Sequence, residues 1–150
     1  MIFNHTSTVK GHSPIAIDIN SDNQKEIVFG SFENDGSANI SVVNYDGTTF
    51  LNSNPFPFTL FEGTEYIRGS IASADLDNDG FLDFVVPGKE KKLYIIRNNL
   101  LETELDLGGL IIGSVAIGNL DDDVDLEIVF GEGGKDVSNY NNKIYAVNYD

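Results

Sequence analysis

The chain contains no cysteine. That excludes disulfides, thiolate metal sites and a cysteine nucleophile. It assigns no compartment, because extracellular domains held together by metal ions can also lack cysteine. Positive charge is scarce: 9 Lys and Arg stand against 24 Asp and Glu, for a net charge of -15 and a pI near 4.2. A nucleic-acid partner needs a basic face, and an anionic membrane surface is disfavoured on the same ground. With only His5 and His12, zinc has too few nitrogen ligands. No apolar run approaches the ~20 residues that a membrane helix needs, so membrane insertion is not expected. No segment sustains a 3.6-residue apolar period either, so no long helix is expected. The first six residues lack the basic-then-apolar pattern of a signal peptide. Gly-x-Ser-x-Gly, His-Glu-x-x-His and phosphate-loop patterns are all missing, and the reading is non-enzymatic.

What is present is enough chain for one domain, and a domain of this size removes roughly 70% of its unfolded surface from water. Its most distinctive stretch is Asp75-Leu76-Asp77-Asn78-Asp79-Gly80-Phe81-Leu82-Asp83. Acids occupy the first, third, fifth and ninth positions and glycine the sixth. Ile71, Ala72 and Ala74 precede it, and Phe84, Val85 and Val86 follow. Four acids so close together repel one another unless the loop is solvated or holds a cation. The flanks predict an acidic turn between two short buried strands.

Two weaker copies lie in register with it, and Asp18, Asp75 and Asn119 align as first positions. The uneven spacing implies loop insertions on a repeated unit. After each acidic turn comes a strand, at 26–30, 83–86 and 127–131. A third strand follows at 39–45, 92–98 and 143–149, and a fourth fits 55–61 and 102–107. The last repeat lacks a fourth strand of its own, and residues 2–9 have the length to supply it. The expectation is therefore all-β: three four-stranded antiparallel units, at about 11–54, 67–108 and 111–150, with 2–9 as a displaced outer strand. Four-stranded sheets repeated radially are β-propeller blades, and propellers close with about four to eight of them. Three blades imply part of a larger propeller or one completed by a homo-oligomer. An ordinary antiparallel sandwich is the competing fold.

The acidic turns predict metal sites. Calcium takes six to eight oxygen ligands from carboxylates, carbonyls and water. Alternate positions in a tight loop can turn their oxygens to one centre, with glycine at the sixth position permitting positive φ. The second loop offers Asp75, Asp77, Asp79 and Asp83 with the Phe81 carbonyl. The first offers Asp18, Asn20, Asp22 and Glu26 with the Gln24 carbonyl, and Asn23 replaces the glycine, which asparagine does tolerably. The third offers Asn119, Asp121, Asp123 and Glu127 with the Asp125 carbonyl. There Val124 takes the glycine position, and a β-branched residue is poor at positive φ. The three loops hold half of the chain's 24 acids. Magnesium suits them less, since it prefers a tighter octahedron with several waters. An isolated acidic turn would need no metal, since Asp, Asn and Gly form turns anyway. Arg68 and Arg97 could orient an acidic ligand, but a surface role is the simpler assignment. Phe50, Phe56, Phe58, Phe61 and Tyr66 are expected to pack between units, and the 132–142 loop is a candidate contact surface.

The loop at 75–83, the Glu-Ile-Val-Phe-Gly runs at 26–30 and 127–131, and Lys-Ile-Tyr-Ala-Val-Asn at 143–148 resemble the FG-GAP/VCBS repeats of integrin α-subunits and bacterial surface proteins. The resemblance covers all three units. It implies a β-propeller with Ca2+ in the hairpin loops between first and second strands. It also implies an extracellular or cell-surface module for structural support and for interaction with a protein or glycan ligand. Asn20, Asn23, Asn119 and Val124 depart from its pattern. A lectin-like or enzyme-associated propeller is the alternative.

Overall fold

A computed structural model describes residues 14–32, 38–50, 58–61, 67, 69–88, 92–97, 100–106, 110–111, 113–133 and 143–149. Among them no helix occurs, and the protein is all-β. The strands are β1 (Ile15–Ile17), β2 (Glu26–Phe32), β3 (Ala38–Val43), β4 (Phe58–Phe61), β5 (Ala72–Ala74), β6 (Asp83–Pro87), β7 (Lys92–Arg97), β8 (Leu100–Asp106), β9 (Leu110–Ile111), β10 (Ala116–Gly118), β11 (Glu127–Gly133) and β12 (Lys143–Asn148). They form three antiparallel, blade-like sheets. The first runs β1-β2-β3-β4, the second β5-β6-β7-β8 and the third β10-β11-β12. In the third, β9 pairs with the far end of β11, opposite Glu132 and Gly133.

The registers repeat. Ile17 lies opposite Glu26, Ala74 opposite Asp83 and Gly118 opposite Glu127. Each acidic turn thus joins the first two strands of its sheet, and the ninth-position acid opens the second strand. Val28 faces Val42, Val85 faces Ile95 and Val129 faces Ala146. The central strands β3 and β6 are buried along their whole length. Strands buried on both faces read as continuous β-branched and aromatic runs rather than alternation, as Phe84-Val85-Val86 does.

The chain divides into two compact units, Met1–Ile67 and Arg68–Asp150. The first contains one sheet, centred on Val28, Ile40, Val42 and Val43. Ser31 and Ser41, opposite the loop end, share a buried hydroxyl hydrogen bond of 2.8 Å.

The second unit contains the other two sheets around one apolar core of Leu76, Val85, Leu93, Ile95, Val115, Ile128 and Phe130. Strand alternation shows how they meet. Val85, Leu93 and Ile95 lie on one face of the second sheet. Ile128, Phe130, Tyr145 and Val147 lie on the opposite-parity face of the third, where Phe130 stacks on Tyr145 with centroids 5.3 Å apart. The packing is therefore face to back, not face to face. Ala72 and Ala74 border this core and leave room for it. The other face of the third sheet is open, with Ala116 and Ala146 exposed and Ile144 81% exposed.

Several sequence expectations lie outside the described residues: the displaced strand at 2–9, Phe56, Tyr66 and most of the 132–142 loop. Phe50 is buried, and the side chains of β4 are not among those described. No helix among the described residues is long and apolar enough to cross a membrane.

Candidate metal centre

Each acidic turn is tied by carboxylates accepting from backbone amides. In the second loop, Asp75 accepts from Asp79 N (3.0 Å) and Gly80 N (2.9 Å). Asp77 accepts from Asp79 N at 3.2 Å, and Asp79 from Phe81 N at 2.9 Å. Asp83 reaches back to Leu76 N at 2.9 Å.

The first loop repeats this scheme position by position. Asp18 accepts from Asp22 N (3.1 Å) and Asn23 N (2.9 Å), Asn20 from Asp22 N (3.1 Å), Asp22 from Gln24 N (2.7 Å) and Glu26 from Ile19 N (3.0 Å). The backbone explains the agreement. The sixth positions, Asn23 and Gly80, have φ of 66° and 89°, and the fourth positions, Ser21 and Asn78, have 60° and 58°. The left-handed fourth position is a feature that the sequence reading missed, although the Asn at 78 was a signal for it.

The third loop departs. Val124 is not among the residues with positive φ and stands 80% exposed. It takes an ordinary backbone region, so the strain expected of it does not arise. The loop path changes instead. Asn119 donates through Nδ2 to the Asp123 carbonyl. The rest of the scheme survives: Asp121 accepts from Asp123 N (3.0 Å), Asp123 from Asp125 N (2.9 Å) and Glu127 from Leu120 N (2.6 Å).

Ligand atoms of Asp75, Asp77 and Asp83 lie within 4.8 Å of one another, as do those of Asp121, Asp123 and Glu127. Among the described residues, the first loop's Asp18, Asp22 and Glu26 form no such group. Asn20 occupies the intervening position there and donates its Nδ2 to Asp22 Oδ2 at 3.0 Å. Gln24, Phe81 and Asp125 are held at the closing turn of each loop by their amides. A hollow beside the first loop is lined by Asp22, Gln24, Glu26, Asn44, Tyr45 and Asp46.

The ninth-position acids are the most buried members: Glu26 and Asp83 are each 2% exposed and Glu127 4%. Glu127 Oε2 accepts from Leu120, while its Oε1 is buried without a hydrogen-bond partner. A buried, unpaired carboxylate oxygen is costly, and a cation at the Asp121 and Asp123 oxygens would satisfy it. The donor set is all oxygen, which fits a hard cation such as calcium. At Asp83, burial pushes the carboxyl up to about 6, against the pull of the Leu76 amide and of Arg97.

Arg97 corrects the surface role that sequence reasoning favoured. Its side chain is only 16% exposed, and its guanidinium pairs with Asp77 Oδ2. Nε lies 3.8 Å from Asp83 Oδ2. The available signal was its register: Arg97 aligns with Asn44 and Asn148 at the end of each third strand.

Comparison with known protein families matches residues 18–86 to the FG-GAP-like repeat, a span from the start of the first acidic loop to the strand after the second. Comparisons with curated proteins and with solved structures gave no match.

Proposed function

We propose, from the match of residues 18–86 to the FG-GAP-like repeat, that the chain is a calcium-binding, non-enzymatic interaction module built of β-propeller blades. Calcium would be held by Asp75, Asp77, Asp79 and Asp83 with the Phe81 carbonyl, and by Asp121, Asp123 and Glu127 with the Asp125 carbonyl. The first loop, with Asp18, Asn20, Asp22, Glu26 and the Gln24 carbonyl, would be the weakest of the three. The observation that carries the reading is the gathering of three carboxylates at each of two strand junctions, one of them with the buried, unpartnered Glu127 Oε1.

Bound calcium would offset the negative charge that these turns concentrate. The residues do the rest: amides fix each carboxylate, and the ninth-position acid links the metal to the second strand. Binding to the folded state alone stabilises it by mass action. Extracellular calcium modules work at 10⁻⁴–10⁻³ M affinities, which suits loops that lack one or two ideal ligands and favours a cell-surface or secreted setting.

The face-to-back packing of the second and third sheets supports the propeller. Stacking of that kind leaves the outer face of an end sheet open, and the exposed Ala116, Ile144 and Ala146 mark such a face. Further blades, from a second copy or a longer chain, would cover it. The partner of the completed module is a protein or glycan. The direct test is thermal unfolding in EDTA and then in millimolar calcium. The melting temperature is expected to rise with calcium and fall again on chelation. No shift at all would sink the metal's stabilising role.

A further inference from the structure

The second loop has the fullest set of acids, yet two of its carboxylates are already matched by a cation from the chain itself. Arg97 closes β7 on the face that packs against the third sheet. Its guanidinium pairs with Asp77 Oδ2 and approaches Asp83 Oδ2 at 3.8 Å. The guanidinium carbon also lies 5.4 Å from the centroid of the Tyr149 ring, within cation–π range. The matching residues of the other sheets are Asn44 and Asn148, both neutral. Among the described residues, the second loop is the one whose third-strand register position carries a cation.

We propose that Arg97 is a resident counter-cation of the second loop, and that a divalent cation enters that loop only as the guanidinium withdraws from Asp77 and Asp83 toward Tyr149. The proposal rests on the reading of these loops as calcium sites. Its physical basis is competition. Asp77 has Oδ1 engaged by the Asp79 amide and Oδ2 by Arg97. Asp83 Oδ2 is shared between the Leu76 amide and Arg97. A dication coordinated by the same oxygens would face a guanidinium at contact distance, which like charges do not tolerate in a partly buried site. Tyr149 offers an alternative seat on the same side chain's reach. Without metal, the ion pairs hold the loop in the shape that calcium needs. The consequence inverts the sequence ranking: the loop with the best acid pattern binds calcium more weakly than its charge implies. The third loop has a neutral Asn148 at this position and keeps an unpartnered oxygen on Glu127.

The test is calorimetric titration of calcium alone into EDTA-stripped wild type, R97N, R97Q and R97N/D79N. R97N installs the residue of the other two sheets, and R97Q retains more of the aliphatic stem for packing. One class of site is expected to tighten by about tenfold or more in R97N and R97Q, the scale of coupling between interacting sites. That gain should vanish in R97N/D79N. In EDTA both single variants should melt below wild type, and their calcium-induced rise should be larger. In the wild type, which needs no substitution, the Arg97 Nε–H resonance should move on calcium addition. Calcium binding of unchanged affinity in R97N and R97Q, or an Arg97 resonance unmoved at saturation, overturns the proposal and leaves the calcium reading standing. Absence of calcium binding in wild type and variants alike overturns that reading itself, and the proposal with it.

Discussion

Gly69 lies against Gly113 so closely that a Cβ built on Gly69 would fall 1.8 Å from the Gly113 carbonyl oxygen. Gly69 precedes β5 and Gly113 precedes β10, and the neighbouring Ser70 N donates to Ser114 Oγ at 3.4 Å. The obstruction is backbone, which cannot swing aside as a side chain would. Gly69→Ala should therefore cost about 3 kcal/mol or more in urea unfolding. Gly113 has a φ of 109° with open space around its Cβ direction, so Gly113→Ala incurs only backbone strain, of about 1–3 kcal/mol. A G69A protein as stable as wild type would refute this close approach.

The apolar core of the second unit gives a sharper contrast. Ile95 is fully buried, whereas Ile144, one residue past the start of β12, is 81% exposed. Ile95→Ala should destabilise by about 2–5 kcal/mol. Ile144→Ala should stay within about 0.5 kcal/mol in dilute protein. Equal losses at the two positions would mean that the outer face of the third sheet is already covered in solution.

Asp83 sets a pH dependence. Its folded carboxyl is raised to about 6, above the unfolded value of about 3.9. The folded state thus binds the proton more tightly, and stability from this group falls as pH rises from about 4 through 6. Asp83→Asn keeps an acceptor for the Leu76 amide and removes the titration. Measured in EDTA, wild type should lose stability relative to D83N between pH 4 and pH 7. A relative gain over that interval would contradict the burial effect.

Much of this was legible in the sequence, for physical reasons that differ by residue. The strands were readable because Ile27-Val28-Phe29 and Phe84-Val85-Val86 are β-branched or aromatic runs bounded by Glu26 and Gly30 and by Asp83 and Pro87. The left-handed turn at Asn23 was readable because asparagine tolerates positive φ. Val124 was legible only as a mismatch. The sequence pointed to strain, but the third loop avoids it by following another path, with Asn119 donating to Asp123. A local pattern cannot say which of two backbone routes a loop will take. Arg97 was hidden for a different reason: its partners Asp77 and Asp83 lie across the sheet, and no short motif joins them. The pairing of β9 with β11 is likewise non-local.

The same two loops yield a paired prediction. Asn23→Val places a β-branched side chain at φ 66° and should cost about 1–3 kcal/mol. Val124→Gly, which would restore the repeat's usual glycine, should not stabilise the apo protein. Its backbone needs no positive φ, and glycine adds about 0.5–1 kcal/mol of entropic cost. Denaturation of the two variants in EDTA checks both signs. A stabilised V124G would show that the third loop takes the left-handed turn after all.

The central claim, that these acidic turns are calcium sites, is tested most directly by a crystal structure of the calcium-soaked protein with anomalous difference density. The expected result is a peak about 2.3–2.6 Å from carboxylate oxygens of Asp121, Asp123 and Glu127, with Glu127 Oε1 among its ligands, and a second at Asp75, Asp77, Asp79 and Asp83. Saturating calcium with no density at either group, and Glu127 Oε1 still unpaired, would contradict it.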